Sequence, residues 1–218
     1  MKAIFRNSFL ALTAGPRLLL VLFALGFPLA MAGHYTHTFE LYSWLAFSPG
    51  LVWKGQLWRL LTYAFLPGGI VDWVVSLFWL ATLVCVLVRN WSGRELWIYC
   101  LLTALVPSVL LTLLRQPSGC VIAGNGAVIL GLLAVWSRLY GRERIILLGL
   151  GEFSVRQAAV IVALIEVLIL WFCLGWLISL AMIFGGATGW VYLFLRDTRA
   201  MRRRGQVLDS ARIARLEL

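Results

Sequence analysis

The sequence predicts an all-α membrane protein, a bundle of six transmembrane helices with an interfacial loop after the first. Three observations predict it. Of 218 residues, 62% are hydrophobic and the mean hydropathy is +0.92, more apolar surface than a soluble domain keeps from water. The apolar residues fall in runs of about twenty, the length a helix needs to cross hydrocarbon. The basic residues gather on one side of the bundle that those runs define. Helices satisfy their own backbone groups in lipid, so a helical bundle is the expected architecture.

The spans are expected at residues 15–33, 70–88, 96–114, 122–141, 158–175 and 179–195. The first ends without a convincing cleavage site after Ala32 and Gly33, so it reads as a retained anchor. Residues 34–69 form the one long joint, and its aromatic density (Trp44, Trp53, Trp58 and Tyr63 among others) suits a segment in the membrane interface. Pro107 interrupts the third span. Gly149, Gly151 and Ser154 suggest a turn before the fifth. The fifth and sixth are joined almost without a loop, which leaves open one long segment or two. Residues 1–195 read as the transmembrane domain and 196–218 as a basic cytoplasmic tail.

With the N-terminus inside, only Lys54, Arg59 and Arg115 of the 19 Lys and Arg fall outside, which predicts N-in and C-in. The net charge of +10 is then accounted for by topology and anionic lipid, with Arg202, Arg203 and Arg204 facing headgroups and no nucleic-acid partner implied. Cys85, Cys100, Cys120 and Cys173 lack metal-ligand spacing and read as small hydrophobes. His34, His37 and Glu40 read as a solvated cluster rather than a metal site, and neither metal nor cofactor is expected. The sequon at Asn90 falls in a cytoplasmic joint and is expected to stay unmodified.

Trp58-Arg59-Leu60-Leu61-Thr62-Tyr63, then Phe65-Leu66-Pro67-Gly68-Gly69, resembles the first loop of rhomboid intramembrane proteases. Gly93-Arg94 with Tyr99 resembles the start of their third span. Gly124-Asn125-Gly126-Ala127 and Gly131 resemble the serine-bearing fourth, and Ala181-Met182 with Gly185 and Gly189 the histidine-bearing sixth. The resemblance covers about residues 55–195 and implies a rhomboid-like bundle. It also implies that Asn125 stands at the nucleophile, Met182 at the general base, and Asp72 and Ser76 at the oxyanion-stabilising positions. An amide is no nucleophile and a thioether accepts no proton from a hydroxyl, so no catalytic residue is expected. An ionised Asp72 would repel a developing oxyanion.

Gly124, Gly126, Gly131, Gly185 and Gly189 are expected to let the fourth and sixth helices approach closely. Glu166 lies in the middle of the fifth span and Asp72 near the start of the second; an unpaired carboxylate in hydrocarbon costs several kcal/mol. Glu166 is open between a packing, a partner-binding and a transport role, and Asp72 is expected to meet water. Asp72, Asn125 and Glu166 are the candidate partner-binding residues.

The expected function is that of an inactive rhomboid-like protein binding transmembrane segments, with other integral membrane proteins and lipids as partners in a hetero-oligomer. The alternative is a fixed accessory subunit of a larger membrane complex. More remote are a transporter and an active protease, for which the chain offers only His34 and His37 as base and Ser118, off the nucleophile position. The compact chain and short loops point to a bacterial cytoplasmic membrane, with an organelle membrane as the alternative.

Overall fold

The computed structural model describes residues 14–36, 41–114, 121–147, 151–174 and 176–216. The long helices among them are α1 (Ala14–Thr36), α2 (Ile70–Leu87), α3 (Gly93–Leu113), α4 (Gly126–Tyr140), α5 (Val155–Leu174) and α6 (Trp176–Leu216). Each overlaps one predicted apolar run. By length and composition α2, α3 and residues Trp176–Thr198 of α6 can cross a bilayer, while Ala14–Leu29 and Gly126–Tyr140 are apolar but shorter. Helices α5 and α6 are separate elements packed against each other, and the Ser179 hydroxyl donates to the Val167 carbonyl across them at 3.1 Å. The tight joint is therefore a helical hairpin rather than one long segment.

α4 is the central helix, packed against α2, α3, α5 and α6, and residues Ala127 to Leu133 are buried without a break. Its closest neighbour is α6, and glycine makes the approach possible. A Cβ on Gly185 would overlap the backbone carbonyl of Ala127. A Cβ on Gly189 would overlap the Tyr99 hydroxyl and stand 3.0 Å from Gly131 Cα, while one on Gly131 would stand 2.6 Å from Thr103 Cγ2. Backbone against backbone is how membrane helices gain van der Waals contact when lipid supplies no hydrophobic drive.

At one end of this seam the buried Tyr99 hydroxyl donates to the Gly131 carbonyl at 2.5 Å. Its ring meets Trp91 and Tyr192 edge-on, at centroid distances of 5.1 and 5.2 Å. Arg196 lies 4.9 Å over the Trp91 ring and pairs with Glu95 at 2.7 Å, tying α6 to the start of α3. Ser92 caps α3 by accepting the Glu95 N–H at 3.2 Å, leaving that carboxylate near the positive helix end. Tyr99→Phe keeps the ring cluster and loses the hydrogen bond, so it is expected to cost about 1 kcal/mol, read by thermal unfolding in detergent.

Three features differ from the sequence reading. The joint at 142–157 is an antiparallel hairpin, β1 (Arg144–Leu147) with β2 (Gly151–Ser154), Arg144 opposite Ser154 and Leu147 opposite Gly151. Ile145 and Ile146 favour extended backbone, and Gly151 takes a φ of +101°. Ser154 and Gln157 then form a capping box into α5: the Ser154 hydroxyl accepts the Gln157 N–H at 3.3 Å and the Gln157 side chain accepts the Ser154 N–H at 3.1 Å. Second, α4 begins at Gly126 instead of 122, because residues before it are drawn into the opposite end of the bundle. Third, α6 runs 41 residues through Leu216, so the backbone of the basic tail continues the sixth helix past residue 196. The side chains of Arg202, Arg203 and Arg204 are outside the description, as are those of His34 and Cys173, while His37, Glu40, Arg115, Ser118 and Cys120 lie outside the described residues altogether. Cys85 and Cys100 are buried free thiols, as their spacing suggested.

Candidate functional site

The segment between α1 and α2 folds as a cap over one end of the bundle. It is built of short helical turns at Leu41–Leu45, Pro49–Trp53 and Arg59–Thr62, then a 3-10 turn at Tyr63–Phe65. Arg59, only 4% exposed, organises it. Its guanidinium donates to the carbonyls of Ala46 and Ser43 and to the Gln56 side chain, each at 2.6 Å. The Thr62 hydroxyl donates to the Leu45 carbonyl at 2.7 Å. The cap is fastened to α3 by the Tyr63 hydroxyl on the Ala104 carbonyl and the Ser108 hydroxyl on the Leu60 carbonyl, both at 2.8 Å. Trp44, Trp53, Leu57 and Trp58 remain exposed around it.

This cap fixes the approach to α4. Phe47 and Ile122 exchange two backbone hydrogen bonds of 2.8 Å, and the Gly124 N–H donates to the Tyr63 carbonyl at 3.2 Å. Gly124 has a φ of +134° and a Cβ there would meet nothing within 4 Å. Its expected place in helix packing is therefore corrected: it is a turn residue, needed for its left-handed backbone. The turn sets Asn125 at the N-cap of α4, 1% exposed.

Beside Asn125 lies a cavity of about 260 Å³ between α2, the start of α4, α5 and α6. Asp72, Ser76, Asn125 and Met182, which the resemblance grouped, line it together, and Glu166, whose place the sequence reading left open, lines it as well. The Ser76 hydroxyl donates to Asn125 Oδ1 at 2.8 Å and stands 3.1 Å from Asp72 Oδ1. Asp72 Oδ2 accepts the Gly68 N–H at 2.7 Å. Burial, and behind it the Asp72 carboxylate, raises the Tyr42 phenol above its ordinary pKa. Met182, 2% exposed, lies over the first turn of α4: a Cβ on Gly126 would stand 2.6 Å from its Cε. Two buried polar atoms of the site, Asn125 Nδ2 and Glu166 Oε2, have no hydrogen-bond partner among the described residues.

This set offers an amide, a thioether, a hydroxyl and two carboxylates. Ser76 is hydrogen-bonded to an amide and a carboxylate rather than to an imidazole. Among the described residues no three His, Cys, Asp or Glu side chains group to hold a metal ion. What the sequence reading missed is the role of Arg59; the available signal was a lone arginine inside an apolar aromatic stretch, where a charge persists only if fully hydrogen-bonded.

A bundle of apolar helices around a polar cleft defines the class as an integral membrane protein. The particular family follows from sequence: a family described as "Eukaryotic integral membrane protein (DUF1751)" matches residues 17–216, and the chain belongs to it. That family is rhomboid-like, in agreement with the resemblance read from the motifs. No curated protein matches the chain. The family corrects the expected bacterial cytoplasmic membrane, since its description is eukaryotic. Compactness and short loops follow from helix packing and carry no information about the compartment.

Proposed function

We propose that this chain is a non-catalytic rhomboid-like protein that binds transmembrane segments of other membrane proteins. In this reading all six helices span, with the N-terminus and the basic end of α6 on the cytoplasmic side. The distribution of Lys and Arg supports that topology. At 15 residues, or about 22 Å, α4 is shorter than the hydrocarbon layer of about 30 Å. Its N-terminus at Asn125 then sits below the cap, at membrane depth.

The observation that carries the reading is a preserved cleft with exchanged chemistry. Asp72, Ser76, Asn125 and Met182 converge as the resemblance requires, yet the nucleophile and base positions hold an amide and a thioether instead of serine and histidine. The cleft also opens sideways. Among the described residues α2 and α5 share at most a weak contact, and Val71, Val75 and Ile169 line the cavity while being 74%, 44% and 54% exposed. A polar site with an apolar lateral rim suits an occupant arriving through lipid.

The test is affinity purification of the tagged chain, at native expression, in mild detergent. Many membrane proteins recovered at low and variable ratio are expected; one partner set at fixed stoichiometry would instead make the chain a structural subunit. Glu166→Leu is expected to leave the bundle folded, as read by size exclusion and thermal unfolding, and to lower partner recovery. Unfolding of the purified variant with its partners retained would count against a binding role for Glu166.

A further inference from the structure

We infer that the cleft selects a transmembrane segment bearing a lysine or arginine in the bilayer half nearest the cap, and that Asp72 and Glu166 receive its charge. This rests on the binding function proposed above and names the partner's chemistry.

Charge is the first ground. The chain carries a net +10, yet among the described residues the cavity is lined by two carboxylates and by no Lys, Arg or His. Among the described residues the ion pairs are Arg138 with Asp197, Arg144 with Glu152 and Arg196 with Glu95, so neither Asp72 nor Glu166 has a cationic partner. Arg59, the buried arginine of the cap, is engaged by three acceptors of its own.

Unmet hydrogen-bonding capacity is the second. Among the described residues Glu166 Oε2 is buried without a partner, and so is Asn125 Nδ2. If the amide is turned over, its nitrogen donates to Ser76, Ser76 donates to Asp72 Oδ1, and Asn125 Oδ1 becomes the open acceptor. That arrangement presents oxygens from Asn125 and Glu166 to an incoming donor.

Shape is the third. One helical turn, about 10–12 Å across and about 5.4 Å long, exceeds a cavity of about 260 Å³. A helix therefore seats on the rim formed by Val71, Val75 and Ile169 and inserts one side chain. Lysine and arginine fit that entry, with an apolar stem along the rim and a cationic head among the oxygens. A basic residue in hydrocarbon is as unfavourable as an unpaired carboxylate, so docking relieves both partners at once.

The experiment co-expresses the full chain with a tagged leucine-rich single-pass helix. The helix carries lysine, leucine or glutamate at one position in the half facing the cap, and recovery on the chain is measured in mild detergent. The lysine helix is expected to be recovered at least about tenfold over the leucine helix, with the glutamate helix lowest. Asp72→Asn with Glu166→Gln is expected to bring the lysine helix down to the leucine level. Glu166→Gln alone, which keeps the shape of the side chain, is expected to fall between. Equal recovery of lysine and leucine helices, or full lysine recovery by a folded double variant, overturns the charge selection while leaving helix binding intact. Recovery of no helix overturns both.

Discussion

Gly185→Ala is expected to destabilise the bundle by about 1–3 kcal/mol, the range for forcing a methyl group into a filled interface. The reason is what the methyl would meet. It would overlap the Ala127 carbonyl, which belongs to backbone of the central helix and cannot rotate aside as a side chain can. α6 would have to move away from α4, and the neighbouring contact of Gly189 with Gly131 would open with it. Gly186→Ala supplies the control on the same helix one residue later. Its Cβ would meet Leu130 at 3.7 Å, ordinary van der Waals contact. There the higher helix propensity of alanine predicts no loss and a gain of up to about 1 kcal/mol. Thermal unfolding of both variants in the same detergent reads the difference. Equal melting points would mean that α4 and α6 do not approach as described.

Arg59→Ala is expected to cost roughly 3 kcal/mol or more, since hydrogen bonds to a charged group contribute about 1.5–3 kcal/mol each and three acceptors lose their donor. Two of those acceptors, the Ala46 and Ser43 carbonyls, join one turn of the cap to the next, so the loss is structural before it is local. Arg59→Lys keeps the charge but not the planar fork, and is expected to recover only part of the stability. Limited proteolysis between residues 41 and 66, alongside thermal unfolding, separates an opened cap from a melted bundle. The effect is expected to reach the cleft, because the Gly124 N–H is held by the Tyr63 carbonyl and Asn125 follows it directly. Cap cleavage at the wild-type rate in Arg59→Ala would show that the guanidinium is dispensable.

The long helices were legible because hydrophobic run length is a local property. Gly185 and Gly189, spaced four apart, announced a packing stripe that the structure places against Ala127 and Gly131. Gly124 looked like a member of the same set and is not. Its neighbours pair with the cap through Phe47 and Ile122, a long-range contact that no local pattern contains. The hairpin at 144–154 was hidden for a related reason: two four-residue strands give too short a period to read beside a turn signal.

The sequence by itself determined that the chain is a helical membrane protein. Composition and the length of the apolar runs are enough for that, since lipid admits few backbone arrangements. Only the tertiary structure decided that Asp72, Ser76, Asn125 and Glu166 share one cleft and that Arg59 belongs to the cap. Those are relations between segments far apart in sequence, set by how closely glycine-bearing helices approach and by which buried polar groups find partners once they do.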